Sequence, residues 1–203
     1  MSSPDLRGAW GIFGGRFDPI HNGHLALAAD LRRLKNLDGI MLVPSYRPPH
    51  KPQLCEASYD DRVTMMGLAT GGDPSFIVSD IERELDGPGY SLYVVRELKR
   101  RNPRVDFSFL IGADNIHDFR NWFRPEELAR EVRIVAGARP GYTMDESAIG
   151  VDAEVELVST AEVAVSGSEI RALVKAGAGP DRLKGLVPDA VAAFIFERRL
   201  YMS

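Results

Sequence analysis

Cysteine is almost absent from this chain: Cys55 is the single one among 203 residues. An internal disulfide is therefore excluded, and such cysteine usage is typical of a reducing compartment. No apolar run reaches the roughly 18 residues that a membrane span requires. Residues 1–5 carry neither a basic stretch nor an apolar segment, so no secretory signal is expected. These absences predict a cytoplasmic protein that has no membrane partner.

Positive charge is also in short supply. Lys and Arg number 25 against 29 Asp and Glu, which gives a formal net charge of −4. A broad basic surface is not expected, and nucleic acid is therefore disfavoured as a partner. If the ligand is an anion, a few positively charged side chains close to the site would have to bind it. The 44% of hydrophobic residues suffices for one domain, predicted over residues 1–203 with a C-terminal helical part at about 166–203.

Two common nucleotide-binding signatures are missing. Without a GxxxxGK[ST] segment the usual phosphate loop is absent, and without GxGxxG a dinucleotide dehydrogenase is disfavoured. Instead, apolar strand-like runs alternate with helical patterns. Strands are predicted at residues 9–13, 39–43, 76–78, 105–111, 132–136 and 155–158, and helices at 25–31, 58–70, 91–101, from 125, 166–176 and 188–200. This alternation predicts an α/β fold with a doubly wound, mainly parallel, Rossmann-like sheet and helices on both faces.

The most informative segment is GGRFDPIHNGH, which runs from Gly14 to His24 between a predicted strand and a predicted helix. In an α/β sheet such a turn lies at the carboxyl ends of the strands, where ligands bind. The helix N-terminus offers free N–H groups and partial positive charge to phosphate, and Gly14 and Gly15 let the backbone approach its oxygens. His21 and His24 can point into one crevice and donate hydrogen bonds to a phosphoryl group. A metal pair or two solvated histidines is the alternative, although no Cys or third His lies nearby to complete a zinc site.

A second candidate phosphate site is the segment VSGSEIR, residues 165–171. The hydroxyls of Ser166 and Ser168 lie at a predicted helix start, and Arg171 follows about one turn later. The alternative is that Ser166 caps the helix with Glu169 as its capping-box partner. Asp114, directly after a predicted strand, suits the role of ribose hydroxyl acceptor or that of a helix N-cap.

Segment 14–24 resembles the GGTFDPxHxGH signature of bacterial nicotinate-nucleotide adenylyltransferases, within the HxGH nucleotidyltransferase superfamily. Residues 43–51, VPSYRPPHK, resemble the VPxxxPPHK loop of that family, and SGSEIR resembles its ISSTxIR motif. Residues 111–114, IGAD, match its IGxD motif, and Trp122 matches a tryptophan that stacks on the nicotinate ring. The resemblance extends from about Gly11 to Tyr201 and implies a nucleotidyltransferase sheet.

The resemblance also implies a reaction. The AMP moiety of ATP is joined to nicotinate mononucleotide, which gives nicotinate adenine dinucleotide and pyrophosphate in NAD biosynthesis. The implied catalytic residues are His21, His24, Lys51 and Arg171. The implied ATP-binding residues are Gly14, Gly15, Arg16, Phe17, His21, His24, Gly112, Asp114, Ser166, Ser168 and Arg171. The implied nicotinate-nucleotide-binding residues are Gly15, Tyr90, Ser91, Asp114, Trp122 and Phe123. Mg²⁺ is expected to bind through substrate phosphates, with no metal site formed by protein side chains.

Some positions depart from the family pattern. Arg16 stands where Thr or Ser is usual, and its guanidinium can replace the lost hydroxyl as a phosphate donor. Gly167 stands where the motif has Ser, and Tyr93 and Val94 stand where it has Asp-Thr. A lone tryptophan such as Trp122 is also more often a core residue than a ligand contact.

Other functions stay open. The acceptor could be nicotinamide mononucleotide or another phosphorylated acceptor such as phosphopantetheine. A fragment of a class I aminoacyl-tRNA synthetase shares an HxGH helix start, but the short chain and the missing KMSKS segment oppose it. A nucleotide sensor that has lost catalysis is a third alternative. The sequence leaves the oligomeric state open, including a homo-oligomer.

Overall fold

A computed structural model describes residues 6–46, 55–138, 155–161 and 164–202, except for the side chain of Asp114. The strands are β1 (Gly8–Gly15), β2 (Gly39–Pro44), β3 (Phe76–Val78), β4 (Val105–Gly112), β5 (Arg133–Ala138) and β6 (Val155–Ser159). The α-helices of these residues are α1 (Asn22–Leu34), α2 (Tyr59–Thr70), α3 (Ile81–Glu84), α4 (Ser91–Arg101), α5 (Ile116–Phe119), α6 (Pro125–Glu131), α7 (Gly167–Lys175) and α8 (Asp189–Glu197). Two 3₁₀ turns cover Ala113–Asn115 and Pro180–Leu183.

The six described strands form one sheet in the order β3-β2-β1-β4-β5-β6, and every neighbouring pair is parallel. All six residues of β2 are buried, as expected for a strand that is covered on both faces. The chain builds outward from β1 to β3 and then returns to place β4 on the other side of β1. The strand order therefore reverses between β1 and β4, which is the position where doubly wound sheets bind ligands.

Side chains alternate between the two faces of the sheet because successive residues of a strand point in opposite directions. On β4, Phe109 belongs to one core together with residues of α3, α4, α5 and α6. Leu110, the next residue, belongs to a second core together with residues of α1, α2, α7 and α8. The predicted doubly wound fold, with helices on both faces, is confirmed. Within the described residues no helix combines the length and the apolar character that crossing a bilayer demands.

The helix boundaries follow local capping chemistry. The Ser58 hydroxyl accepts a hydrogen bond from the Asp61 N–H and caps α2, which ends at Gly71 with φ of +58°. Pro125 occupies the first turn of α6 as predicted, because its missing N–H needs no partner there. The sequence pattern did not reveal α3 and α5, since four residues are too few to display a helical period.

Asp18, in the turn between β1 and α1, connects parts of the chain that are far apart in sequence. It is only 7% exposed. Its carboxylate accepts hydrogen bonds from the Tyr201 hydroxyl at 2.7 Å, the Glu56 N–H at 2.7 Å and the Ala57 N–H at 3.1 Å. Burial raises the pKa of Tyr201, so its hydroxyl remains a donor. The turn is therefore fixed both to the segment before α2 and to the residues after α8.

We expect Tyr201→Phe to lower the free energy of unfolding by about 1.5–3 kcal/mol, the range for a hydrogen bond to a charged partner. The reason is that a buried carboxylate oxygen of Asp18 loses one of its donors. Urea denaturation of both proteins measures the difference. Tyr93→Phe is the matched control, because Tyr93 is 37% exposed. Equal midpoints for Tyr201→Phe and the wild type would contradict this role of Tyr201.

Candidate active site

A cleft of about 670 Å³ opens at the carboxyl ends of β1 and β4, where the strand order reverses. Most of the site residues that the sequence predicted line this one cleft: Gly14, Gly15, Arg16, Phe17, His21, His24, Tyr90, Ser91, Gly112, Trp122, Phe123, Ser166, Ser168 and Arg171. Lys51 lies outside the described residues, as does the side chain of Asp114. The fold therefore brings together residues that are up to 157 positions apart in sequence, from Gly14 to Arg171.

The two histidines lie at the start of α1, and their geometry fixes one tautomer. His21 is the N-cap residue, and its Nδ1 accepts a hydrogen bond from the His24 N–H at 3.3 Å. In the neutral ring of His21 the proton is therefore on Nε2. The two imidazole rings stack with centroids 3.6 Å apart, and the Phe17 ring packs edge-on against His24 at 5.0 Å. Ring contacts with His21 and Phe17 hold His24, while stacking on His24 and the hydrogen bond from the His24 N–H hold His21.

Desolvation keeps both imidazoles neutral. Burial lowers the pKa of His21 from the ordinary value of 6.5 to about 4. Burial, assisted by the charge that His21 would carry, lowers the pKa of His24 from 6.5 to about 3. Two stacked imidazolium rings would also repel each other. At neutral pH each ring can therefore donate one N–H, but neither brings a positive charge.

Glycine at position 14 leaves open the floor of the cleft. A methyl group built there would meet no atom closer than Phe109 Cζ, at 3.7 Å. Packing within the protein therefore does not require glycine at this position, and the space above Gly14 belongs to the cleft. The cleft leaves room for a ligand at this backbone, and the approach of a ligand stays a prediction.

Arg16 and Arg62 have different tasks, although both are arginines close to the cleft. Arg62 is buried, and it donates to the Arg16 carbonyl at 2.6 Å and to the Ser45 carbonyl at 2.8 Å. It thus ties together the turns that follow β1 and β2. The side chain of Arg16 is exposed, lines the cleft, and makes no hydrogen bond or ion pair with the residues that the structure describes. Its guanidinium is therefore available to an anionic ligand.

The start of α7 forms another wall of the cleft. Ser166 Oγ accepts a hydrogen bond from the Glu169 N–H at 3.2 Å, so this serine does cap the helix. Ser168 Oγ lies 3.2 Å from Ser166 Oγ. The guanidinium of Arg171 donates to the Asp18 carbonyl at 2.7 Å. Helix N-terminus, hydroxyl and guanidinium therefore line the same cleft as the two histidines, which is a suitable arrangement for phosphate.

Aromatic rings line the remaining side. Tyr90 and Phe123 stack with centroids 4.1 Å apart and planes inclined by 12°. Trp122 is half-buried and packs against Phe109 and Phe119, at centroid distances of 5.8 and 5.4 Å. Trp122 thus packs against the core and also lines the cleft, and its contact with a nicotinate ring stays a prediction. Such a wall suits a flat ring.

Sequence reasoning missed several cleft residues. Glu82 is buried at its edge and accepts a hydrogen bond from the Tyr46 N–H at 2.9 Å. Thr160 and Ala161 directly follow β6 and also line the cleft. The rule that sites form at the carboxyl ends of parallel strands would have pointed to these two residues. No comparable signal marked Asp18 as a hub, because its partners are distant in sequence.

Comparisons with known proteins agree with this geometry. The sequence model of the cytidylyltransferase-like family matches residues 12–173. A probable nicotinate-nucleotide adenylyltransferase of Solibacter usitatus is 39% identical over 191 residues, which cover 94% of this chain and 97% of the relative. A protein of the same description from Geobacillus thermodenitrificans is 37% identical, with 96% of this chain and 86% of the relative covered.

Solved structures share the fold. The nicotinic acid mononucleotide adenylyltransferase of Plasmodium falciparum, solved in complex with NaAD, superimposes with a TM-score of 0.79 at 20% identity. The superposition covers 96% of this chain and 98% of that one. With identities above 30% over nearly the whole length of the relatives, the chain belongs to the nicotinate-nucleotide adenylyltransferase family of cytidylyltransferase-like proteins.

Proposed function

We propose that this protein transfers the adenylyl group of ATP to nicotinate mononucleotide, forming nicotinate adenine dinucleotide and pyrophosphate in NAD biosynthesis. The observation that carries the proposal is that one cleft is lined both by hydrogen-bond donors and guanidinium groups and by aromatic rings. The first set, with His21, His24 and Arg171, suits the phosphates of ATP, and the aromatic rings suit a pyridine ring. Family membership agrees with this assignment.

The chemistry requires little more than positioning and charge stabilisation. A phosphate oxygen of the mononucleotide attacks the α-phosphorus of ATP, and the bond from that phosphorus to the bridging oxygen breaks as pyrophosphate leaves. The nucleophile is already an anion, so neither a general base nor a covalent enzyme intermediate is needed. The neutral histidines donate hydrogen bonds to the charge that grows on the α-phosphate. Lys51, Ser168 and Arg171 hold the departing pyrophosphate.

The remaining contacts divide between the two substrates. Gly14, Gly15, Arg16 and Phe17 surround the phosphates, while Gly112 and Asp114 border the ribose. Tyr90, Ser91, Trp122 and Phe123 form the nicotinate pocket, in which stacking on the aromatic wall orients the ring. In this assignment Arg16 replaces the hydroxyl that the family signature has at its position. Its exposed guanidinium, which contacts none of the described residues, supports that role.

Nucleotidyltransferases of this family generally use a divalent metal, and we assign Mg²⁺. Among the described residues no group of three or more His, Cys, Asp or Glu side chains could hold a metal ion. The carboxylate of Asp18 in the cleft is occupied by its three hydrogen bonds. These residues fit a metal that arrives on the ATP phosphates, and when bound there it would neutralise phosphate charge.

The single cysteine, Cys55, further supports the cytoplasm as the location.

A pyrophosphate-release assay tests the proposed reaction. The full chain is incubated with ATP, Mg²⁺ and, in separate reactions, nicotinate mononucleotide, nicotinamide mononucleotide or phosphopantetheine. We expect the greatest kcat/KM with nicotinate mononucleotide. Preference for another acceptor would overturn the substrate assignment, and no release with any acceptor, despite ATP binding, would indicate a nucleotide sensor.

His24→Ala should lower kcat by about 100- to 1000-fold and change the KM for ATP much less, because the lost hydrogen bond strengthens as charge develops in the transition state. Steady-state kinetics at saturating nicotinate mononucleotide measure both constants. His117→Ala serves as the control, since His117 is exposed and does not line the cleft. Nearly normal turnover by His24→Ala would remove this histidine from the mechanism.

The buried histidines predict a loss of stability in mild acid. Between pH 6.5 and about 4 the unfolded chain binds a proton at His21 that the folded protein does not bind, so the free energy of unfolding falls as the pH falls. At about 1.4 kcal/mol per pKa unit, the loss from this residue is about 3 kcal/mol.

Denaturant unfolding at a series of pH values measures that loss. We expect a smaller loss for His21→Asn, in which the asparagine can still cap α1. His117→Asn, which changes a histidine that does not line the cleft, is the matched control. Identical pH profiles for His21→Asn and the wild type would contradict a neutral, buried His21.

A further inference from the structure

Arg171 is held by a closed ring of three hydrogen bonds. Its Nη1 donates to the Asp18 carbonyl at 2.7 Å, and its Nε donates to Glu56 Oε1 at 2.8 Å. The ring closes because the Glu56 N–H donates to Asp18 Oδ2 at 2.7 Å. The guanidinium is thus fixed at two of its three nitrogens before any ligand arrives. Its Nη2 makes no hydrogen bond with the described residues, and the side chain lines the cleft.

Glycine at position 167 makes room for this ring. A methyl group built on Gly167 would lie 3.0 Å from the Asp18 carbonyl oxygen and 3.4 Å from Arg171 Nη1. A larger residue would press on the Nη1–carbonyl hydrogen bond. Gly167 is also the position at which this chain lacks the serine of the family motif. The departure therefore coincides with the close approach of Arg171 to Asp18.

Glu56 has no catalytic explanation of its own. Its side chain is 47% exposed, and it does not line the cleft. An exposed ion pair contributes little to stability. A carboxylate beside a phosphate-binding arginine also repels an anionic ligand. Its contribution must therefore come through the orientation of Arg171.

We propose that Glu56 is a positioning residue, which holds the guanidinium of Arg171 in the orientation that receives the phosphates of ATP. This inference rests on the proposed function, in which Arg171 binds those phosphates. A free arginine side chain loses rotamer entropy when it binds a ligand. Here the hydrogen bonds to Glu56 and Asp18 already restrict the rotamers of Arg171, so less entropy is lost when its free Nη2 binds a phosphate.

Three substitutions at Glu56 distinguish the effect of its hydrogen bond to Arg171 from the effect of its negative charge. Glu56→Ala removes the acceptor, and we expect it to raise the Kd of inorganic pyrophosphate and the KM for ATP by roughly 3- to 10-fold, with a smaller change in kcat. Glu56→Gln keeps an oxygen within reach of Arg171 Nε, so both constants should stay within about twofold of wild type. Glu56→Asp keeps the charge but withdraws the oxygen, and it should resemble Glu56→Ala. Calorimetry and steady-state kinetics on the full chain measure these constants.

Two controls address charge and coupling. Glu169→Ala removes a carboxylate from the start of α7 that does not contact Arg171, and we expect its pyrophosphate affinity to equal or exceed that of the wild type. In an Arg171→Ala background, Glu56→Ala should have no further effect on pyrophosphate binding. A further loss there would show that Glu56 does not act through Arg171 and would overturn the proposal.

The remaining outcomes are also decisive. Unchanged or tighter pyrophosphate binding by Glu56→Ala would overturn the proposal, because the charge of Glu56 would then outweigh its positioning effect. A loss in Glu56→Gln equal to that in Glu56→Ala, with Glu56→Asp unaffected, would do the same. If the wild type bound neither pyrophosphate nor ATP, the proposed function would itself fail, and the role of Glu56 with it.

Discussion

A buried carboxylate requires hydrogen-bond donors, and this requirement at Asp18 organises the site. The donors come from the segment before α2 and from Tyr201 beyond α8. If either segment shifted, the buried carboxylate of Asp18 would lose hydrogen bonds that water cannot replace. The backbone carbonyl of the same residue receives Arg171 from α7. One residue in the turn after β1 therefore sets the distance between the helix that carries the histidines and the helix that carries the arginine.

The site separates its two electrostatic tasks. In the proposed mechanism, positive charge is supplied by the guanidinium groups of Arg16, which is exposed, and of Arg171, which is partly buried. In the same proposed mechanism, His21 and His24, which burial keeps neutral, donate the hydrogen bonds at the reacting centre. Because these donors are neutral, they add no charge attraction that would hold back the departing pyrophosphate. This division suits a reaction in which an anion attacks and another anion departs.

Much of the fold could be predicted from the sequence because strands such as β2 are continuous apolar runs, and helices such as α4 carry an apolar stripe that is buried. The capping residue Ser58 and the helix-opening Pro125 were also evident, since their effects are local. In the site, the turn from Gly14 to His24 was evident for the same reason. The contacts of Asp18 with Tyr201 and of Glu56 with Arg171 were not, because periodicity and spacing carry no information about side chains paired across the fold.

The contact between Asp18 and Tyr201 has a consequence for the growing chain, since the two residues are 183 positions apart. During synthesis the turn that contains Asp18 leaves the ribosome early, and Tyr201, which donates a hydrogen bond to it, leaves much later. Loop closure over such a distance is entropically costly, so the contact can form only after the sheet has brought the two ends together. The N-terminal half of the nascent polypeptide therefore contains the histidines but not the finished turn, and the site is completed only when the C-terminal residues emerge.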